Sequence, residues 1–124
     1  MKRVMSMQHD DLVYLGHMLE RAIRTGQYLQ GVSKAEFDEH EVLRLAVRQL
    51  IQTIGESARH VSLEFQARHP EIAWRAMVGM RHRIVHDYLN VDDNLLWNVA
   101  MHDLPQLIDL LDLLVPPRYR LPAD

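Results

Sequence analysis

The chain has 124 residues, 48% of them apolar and 25% charged, the proportions of one globular domain large enough for its own core. It has no cysteine, which excludes disulfides and thiolate metal sites, and no apolar run near the roughly 18 residues of a membrane span. A net charge of −3 argues against a protein that coats nucleic acid without selectivity.

Residues 1–7, MKRVMSM, lack the apolar run of a signal peptide, so a cytoplasmic protein with no membrane association is expected. Residues 1–9 read as an N-terminal lead. Asp10 and Asp11 are candidate N-caps of a first helix, whose apolar positions Leu12, Leu15, Leu19, Ala22 and Ile23 follow helical spacing. Gly26 to Gly31 should end it. Ser33 and Glu36 have the pattern of a capping box, so a second helix should start there, with a short first piece through Phe37.

From about Asp38 to Arg68 the chain carries one apolar stripe, Leu43, Val47, Leu50, Ile54, Ala58, Val61 and Phe65. Beside it runs a track of mostly small side chains, Ile51, Gly55, Ala58 and Ser62. A glycine inside a helix costs roughly 1 kcal/mol against alanine, and close approach of another backbone, from this chain or a second copy, is the expected return. Glu56 and Arg59 lie beside that track, and either face a functional surface or are simply solvated.

Pro70 suits a helix start, with Glu71 complementing the dipole, and a third helix is expected from Glu71 to near His86. Its expected core contacts are Trp74, Met77, Ile84 and Val85. Asn90 to Asn94 reads as a turn, with Asp92 or Asp93 capping a fourth helix that Pro105 must kink or restart. Between Leu104 and Leu114 that helix is apolar almost all round, a surplus for neighbouring helices or a partner subunit to cover. Pro116-Pro117 stops it, and the residues from Arg118 on look like a loose tail. The chain therefore reads as all-α, an up-and-down bundle of four main helices over residues 10–115, with a tail at 116–124.

Charge is unevenly spread. Between Arg59 and His86 five arginines face two acids, a local +3 that leaves −6 for the rest. Such a region suits a selective anionic ligand, or is an ordinary solvated helix face. Within it, residues 80–88, MRHRIVHDY, hold two arginines, two histidines and a tyrosine. Arginine is a permanent charge with a planar fork that matches phosphate, and histidine exchanges protons near neutrality. These are the ingredients of phosphodiester cleavage without a metal. On an ideal helix Arg81 and His86 diverge by about 140°, and Arg81 and Tyr88 lie about 10 Å apart along the axis. A compact site therefore needs the helix to end or bulge near His86, a long ligand, or a second copy of the stretch from a dimer partner. The structural alternatives are a His86 favoured by a helix C-terminus and a Tyr88 packed in the core. A zinc site on His82 and His86, four apart, is a further alternative, but no third ligand lies nearby.

Three blocks carry a resemblance: residues 51–58, IQTIGESA; residues 69–75, HPEIAWR; and residues 79–88, GMRHRIVHDY. They are followed by Val91-Asp92 and Leu96-Trp97. Together they resemble the HepT family of the HEPN superfamily, over about Asp10 to Leu114. The most specific part is an arginine, four residues, a histidine, one residue and a tyrosine, matched by Arg81, His86 and Tyr88. The resemblance implies an all-helical homodimer whose motif copies face each other in a cleft. It implies a metal-independent RNase toxin with RNA, tRNA by class, as target and no cofactor. It also implies an antitoxin partner, a minimal nucleotidyltransferase of the MntA type that transfers AMP from ATP to Tyr88. This chain has His82 where the family often has Asn, which adds a titratable group to the cleft.

The residues suit that chemistry independently. The ribose 2′-OH would attack the adjacent phosphate, with His86 as general base or acid and Arg81 stabilising the charge of the transition state. His82, Arg83 and Arg75, with Glu56 and Arg59, are the RNA- or phosphate-contact candidates. Tyr88 can stack on a base or hydrogen-bond a phosphate, and AMP on its hydroxyl would repel or exclude RNA. The alternative is a non-catalytic helical module that lends nucleotide or RNA affinity to a nucleotidyltransferase.

Overall fold

A computed structural model describes residues 2–121, with side chains from residue 10 onward. Seven α-helices follow in order: α1, Lys2–Leu29; α2, Lys34–Glu39; α3, Glu41–His60; α4, Leu63–Arg68; α5, Trp74–His86; α6, Asp93–Asn98; and α7, Leu104–Leu114. Among the described residues there is no strand. The four main rods of the expected all-α bundle are α1, α3, α5 and the α6–α7 pair. α3 is the central rod, packed on α1 and α5, while α1 also packs on α7.

The expected stripe builds the core. Val47, Ile54, Ala58, Val61 and Phe65 are buried in one cluster with Leu15, Met18, Leu19 and Ala22 of α1 and Leu104, Leu107 and Leu111 of α7; Leu50 is also buried, and Leu43 packs on the cluster half-buried. Each fully buried aliphatic side chain contributes about 1.5–3 kcal/mol. On α5, Trp74, Met80 and Ile84 point inward, but Val85, expected in the core, is 39% exposed. The surplus of the last helix is largely absorbed, yet Leu113 stays in solvent.

Local chemistry sets the boundaries. The Ser33–Glu36 capping box forms as the pattern predicts. His40 then ends α2 and starts α3, its Nδ1 accepting the Leu43 N–H at 3.0 Å. Asp10 and Asp11 are not caps of the first helix, because α1 begins at Lys2 and continues past Gly26 to Leu29. Gly26 is exposed and tolerated there, whereas Gly31, at φ +75°, turns the chain out. The buried Asp11 carboxylate instead accepts the Ser62 N–H and Oγ–H, both at 2.7 Å. Ser62 in turn caps α4, its Oγ accepting the Phe65 N–H. That break at Val61-Ser62 divides what the periodicity presents as one helix to Arg68.

The third main helix starts at Trp74 rather than Glu71. The His69 carbonyl accepts both the Ile72 N–H and the Trp74 indole N–H, so residues 70–73 are spent in a turn. Of the two outcomes expected at Pro105, the chain takes the restart: α7 begins at Leu104 after Asp103, with the proline in its first turn. Residues Val99–Asp103 widen into a π turn in which the Leu104 N–H reaches the Val99 carbonyl. Proline has no N–H and crowds the carbonyl four residues back, and the wider turn relieves both.

The expected lead has helical backbone from Lys2, and its side chains lie outside the described residues. The start of the tail is not loose. Residues Pro117–Tyr119 form a 3-10 turn laid on α1, close enough that a Cβ on Gly16 would meet the Tyr119 carbonyl oxygen at 2.1 Å. Arg120 ties it to Asp112 and to the Val115 carbonyl. Residues 122–124 lie outside the described residues.

Candidate functional site at the end of α5

The site begins with the crossing of α3 and α5. A Cβ on Gly55 would meet Arg81 Cβ at 2.4 Å and the Met77 carbonyl oxygen at 2.5 Å. The close approach implied by the small-residue track is therefore made by α5 of the same chain. It sets Arg81 directly over α3, one residue from Glu56.

Glu56 gathers two arginines and a histidine. Its Oε2 lies 2.8 Å from Arg81 Nε, and its Oε1 accepts from Arg59 Nε at 3.2 Å and contacts His60 Nε2 at 3.3 Å. The Arg81 contact is an ion pair by distance, but the N–H points off line, so Nε is buried without a hydrogen bond. Partial burial pushes the Glu56 carboxyl up, but the Arg59 hydrogen bond and charge, then the Arg81 charge and the His60 contact, outweigh it and hold the group below its ordinary value. Glu56 is thus the anchor of the cationic cluster rather than a phosphate ligand in its own right.

α5 ends at His86, Asp87 caps it, and Tyr88–Asn90 form a 3-10 turn. The helix ends where the motif needs it to for Tyr88, which leaves the helical path, while Arg81 and His86 both stay on α5. His82 and His86 share one face one turn apart, with ring centroids 4.4 Å apart and planes tilted by 44°. Both are exposed, and neither ring has a hydrogen bond or ion pair to another described residue. Tyr88 is 55% exposed and Leu89 91%, so Tyr88 is not the packed core residue that was its structural alternative.

Arg48 of α3 holds the Tyr88 turn. Its guanidinium carbon sits 5.0 Å from the Tyr88 ring centroid, its Nη1 donates to the Tyr88 carbonyl at 3.2 Å, and its Nη2 reaches Asp93 at 3.4 Å. Arg44 pairs with the same Asp93. The sequence reading missed Arg48. A usable signal was present, since no acid lies three or four residues from Arg48 on its helix, and such an arginine looks elsewhere for a partner.

The remaining candidates divide. Arg59, Arg75 and His82 line one open cleft of about 960 Å³ between α4 and α5. Arg83 lies apart from them, in an apolar groove of about 470 Å³ between α5 and α6–α7 that also takes Met77, Met80, Leu107 and Leu110. Among the described residues no three His, Asp or Glu side chains gather where they could hold a metal ion, and no helix is long and apolar enough to cross a membrane.

The family model described as "Ribonuclease HepT-like" matches residues 18–114. The chain belongs to the HepT-like ribonuclease family. It is similar to "Putative RNase MJ1380" of Methanocaldococcus jannaschii, 29% identical over 100 residues that cover 81% of this chain and 92% of that protein. It is 30% identical over 103 residues to "Probable ribonuclease HepT" of Thermococcus cleftensis, covering 83% and 92% of the two chains. It is 28% identical over 94 residues to "Putative RNase TTE0752" of Caldanaerobacter subterraneus, covering 76% and 84%. No solved structure matches it significantly. The matched span contains every HepT-like motif residue described above, Arg81, His86 and Tyr88 included.

Proposed function

We propose that this chain is a metal-independent endoribonuclease, the toxin of a type VII-like toxin–antitoxin pair, acting on RNA of the tRNA class in the cytoplasm. Two copies form the working cleft, with Arg81 and His86 of each as the catalytic groups. The observation that carries this reading is the exposed end of α5 in a HepT-like ribonuclease family member, where Arg81 is anchored by Glu56 and the His86 ring, packed only on His82, is held by no hydrogen bond or ion pair to a described residue. Arg59, Arg75 and His82 along the neighbouring cleft supply cations for the RNA backbone. Exposed Val85 and Leu89, on either side of His86 and Tyr88, support a second copy meeting the motif.

In the proposed reaction the 2′-oxygen forms a bond to phosphorus and the 5′-oxygen leaves, giving a 2′,3′-cyclic phosphate and a 5′-hydroxyl. His86 moves a proton in that exchange, and Arg81 offsets the charge that builds on the phosphoryl oxygens. A nucleotidyltransferase antitoxin of the MntA type silences it by joining the Tyr88 hydroxyl to the AMP of ATP, with release of pyrophosphate. Arg48 steadies the Tyr88 turn and leaves the ring accessible, which suits such a transfer.

Purified, unmodified protein should cut tRNA in EDTA. His86→Ala and Arg81→Ala should each lower cleavage by about 10²–10⁴-fold while leaving the helical fold intact. RNA that is bound but stays intact would replace the enzyme with a non-catalytic RNA- or nucleotide-binding module. Activity lost in EDTA and restored by zinc would replace the mechanism. With the antitoxin and ATP, mass spectrometry should find AMP on Tyr88, and a mass increase that survives Tyr88→Phe would refute the assigned site.

A further inference from the structure

Cleavage of an RNA phosphodiester by its own 2′-OH needs two proton transfers. One group takes the proton of the attacking hydroxyl, and another gives a proton to the departing 5′-oxygen. With one imidazole per chain, a dimer cleft has to take the second from the partner's His86. This chain offers another source, and the inference drawn from it rests on the ribonuclease reading above.

We propose that His82 is a catalytic residue, and that His82 and His86 of one protomer form a complete acid–base pair across a single phosphate. Their rings face one side of α5 one turn apart, with centroids 4.4 Å apart. Each reacting nitrogen has to come within about 2.6–3.2 Å of its oxygen, and the two oxygens flank one phosphorus. Rings this close, tilted rather than stacked flat, address two atoms of one phosphate and not two successive phosphates. Both are exposed, and neither is committed to another described side chain or backbone group. Arg81, next to His82 in the chain and fixed by Glu56 on α3, is the guanidinium assigned to the phosphoryl oxygens.

The charged and titratable groups near the pair are few. From α3 come Arg59, which shares the α4–α5 cleft with His82, and Glu56, His60 and Arg48, which are already paired. The adjoining turn brings Asp87 and Tyr88, and α5 itself carries Arg75, Arg81 and Arg83. Among the described residues no carboxylate pairs with either ring.

In the balanced step, the neutral imidazole accepts the 2′-OH proton as the O2′–P bond forms. The imidazolium gives its proton to O5′ as the P–O5′ bond breaks. The pair ends with its two charge states exchanged, and water restores them.

The test is the pH dependence of kcat/KM in EDTA on an RNA dinucleotide and on a uridine 3′-phosphodiester with a 4-nitrophenol leaving group. The wild type should give a bell on the dinucleotide. His82→Asn and His82→Gln should each lower its maximum by about 10²-fold or more and remove one limb. Nitrophenolate leaves without a proton, so on that substrate the deficit of one histidine's variants should disappear and that of the other's persist. The histidine whose deficit disappears is the acid. Variants at position 82 that keep the wild-type bell would assign the second imidazole to the partner's His86 and overturn the proposal. A deficit equal at every pH and on both substrates would do so too, reducing His82 to a phosphate contact. Wild-type protein that cuts neither substrate nor tRNA would instead refute the ribonuclease reading itself.

Discussion

Two carboxylates divide the labour of this molecule. Asp11, buried in α1, accepts two hydrogen bonds from Ser62, one of them from the backbone. Glu56, half-buried on α3, is surrounded by the side chains of Arg59, His60 and Arg81. Asp11 decides where the chain breaks between α3 and α4. Glu56 decides where the Arg81 and Arg59 guanidiniums stand, the second of them lining the α4–α5 cleft. A carboxylate that is sealed in and tied to backbone serves the fold. One that stays partly wet, holding cations that have donors to spare, serves what those cations bind.

That contrast can be broken from both sides. Asp11→Ala leaves the half-buried Ser62 N–H and Oγ–H without their acceptor and loosens the residue that caps α4. Hydrogen bonds to a charged group are worth about 1.5–3 kcal/mol, and with two lost a destabilisation of about 3 kcal/mol is expected in chemical denaturation. Cleavage per folded molecule should stay near wild type. A large loss of cleavage at unchanged stability would put Asp11 in the site and erase the division.

Gly55→Ala comes next, and it joins the two roles. The added methyl meets Arg81 Cβ and the Met77 carbonyl, neither of which is the loose end of a side chain. Overpacking of this kind costs typically 1–3 kcal/mol, reduced here by the better helix propensity of alanine, so a net loss of about 1–2 kcal/mol is expected. Because the clash pushes on Arg81 itself, cleavage should fall together with stability. A variant of full stability and full activity would show that the helices slide apart without cost and that Arg81 needs no fixed seat.

These sites were unequally legible in the sequence. The Leu43-to-Phe65 stripe, the Ser33 capping box and the motif from Arg81 to Tyr88 could be read because each depends on residues close together along the chain. Glycine within a helix also announced a close approach, although not which helix would make it. What stayed hidden depends on partners far apart. Asp11 looks like an N-cap until Ser62, 51 residues later, claims it. Arg48 looks like a solvated helix residue until Tyr88, 40 residues later, folds under it. Arg83 belongs to the same nine residues as Arg81 and His86, yet the helical repeat turns it into the apolar groove on the other side. Spacing along the chain fixes the angle around a helix, but long-range polar pairs have no period from which to read them.

Glu56→Gln should have the smallest effect on stability and gives the sharpest form of the comparison. More than a third of the Glu56 side chain is exposed, so solvent screens its pairs and the loss at neutral pH should be below about 1 kcal/mol. The sign with pH is fixed. The folded-state carboxyl titrates below its ordinary value of 4.5, so its contribution is complete above that value and fades as pH falls through the lower folded one. Denaturation midpoints of wild type and Glu56→Gln should therefore differ slightly at pH 7 and converge in stronger acid. The cleavage effect should be larger than this, about tenfold, because glutamine keeps the shape and loses the charge that holds Arg81 in place. Recovery in Glu56→Asp should be partial at best, since the shorter side chain cannot span the present 2.8 Å contact without moving α5. If Glu56→Gln lost several kcal/mol and no activity, Glu56 would be a second Asp11, and the cationic cluster would be part of the scaffold.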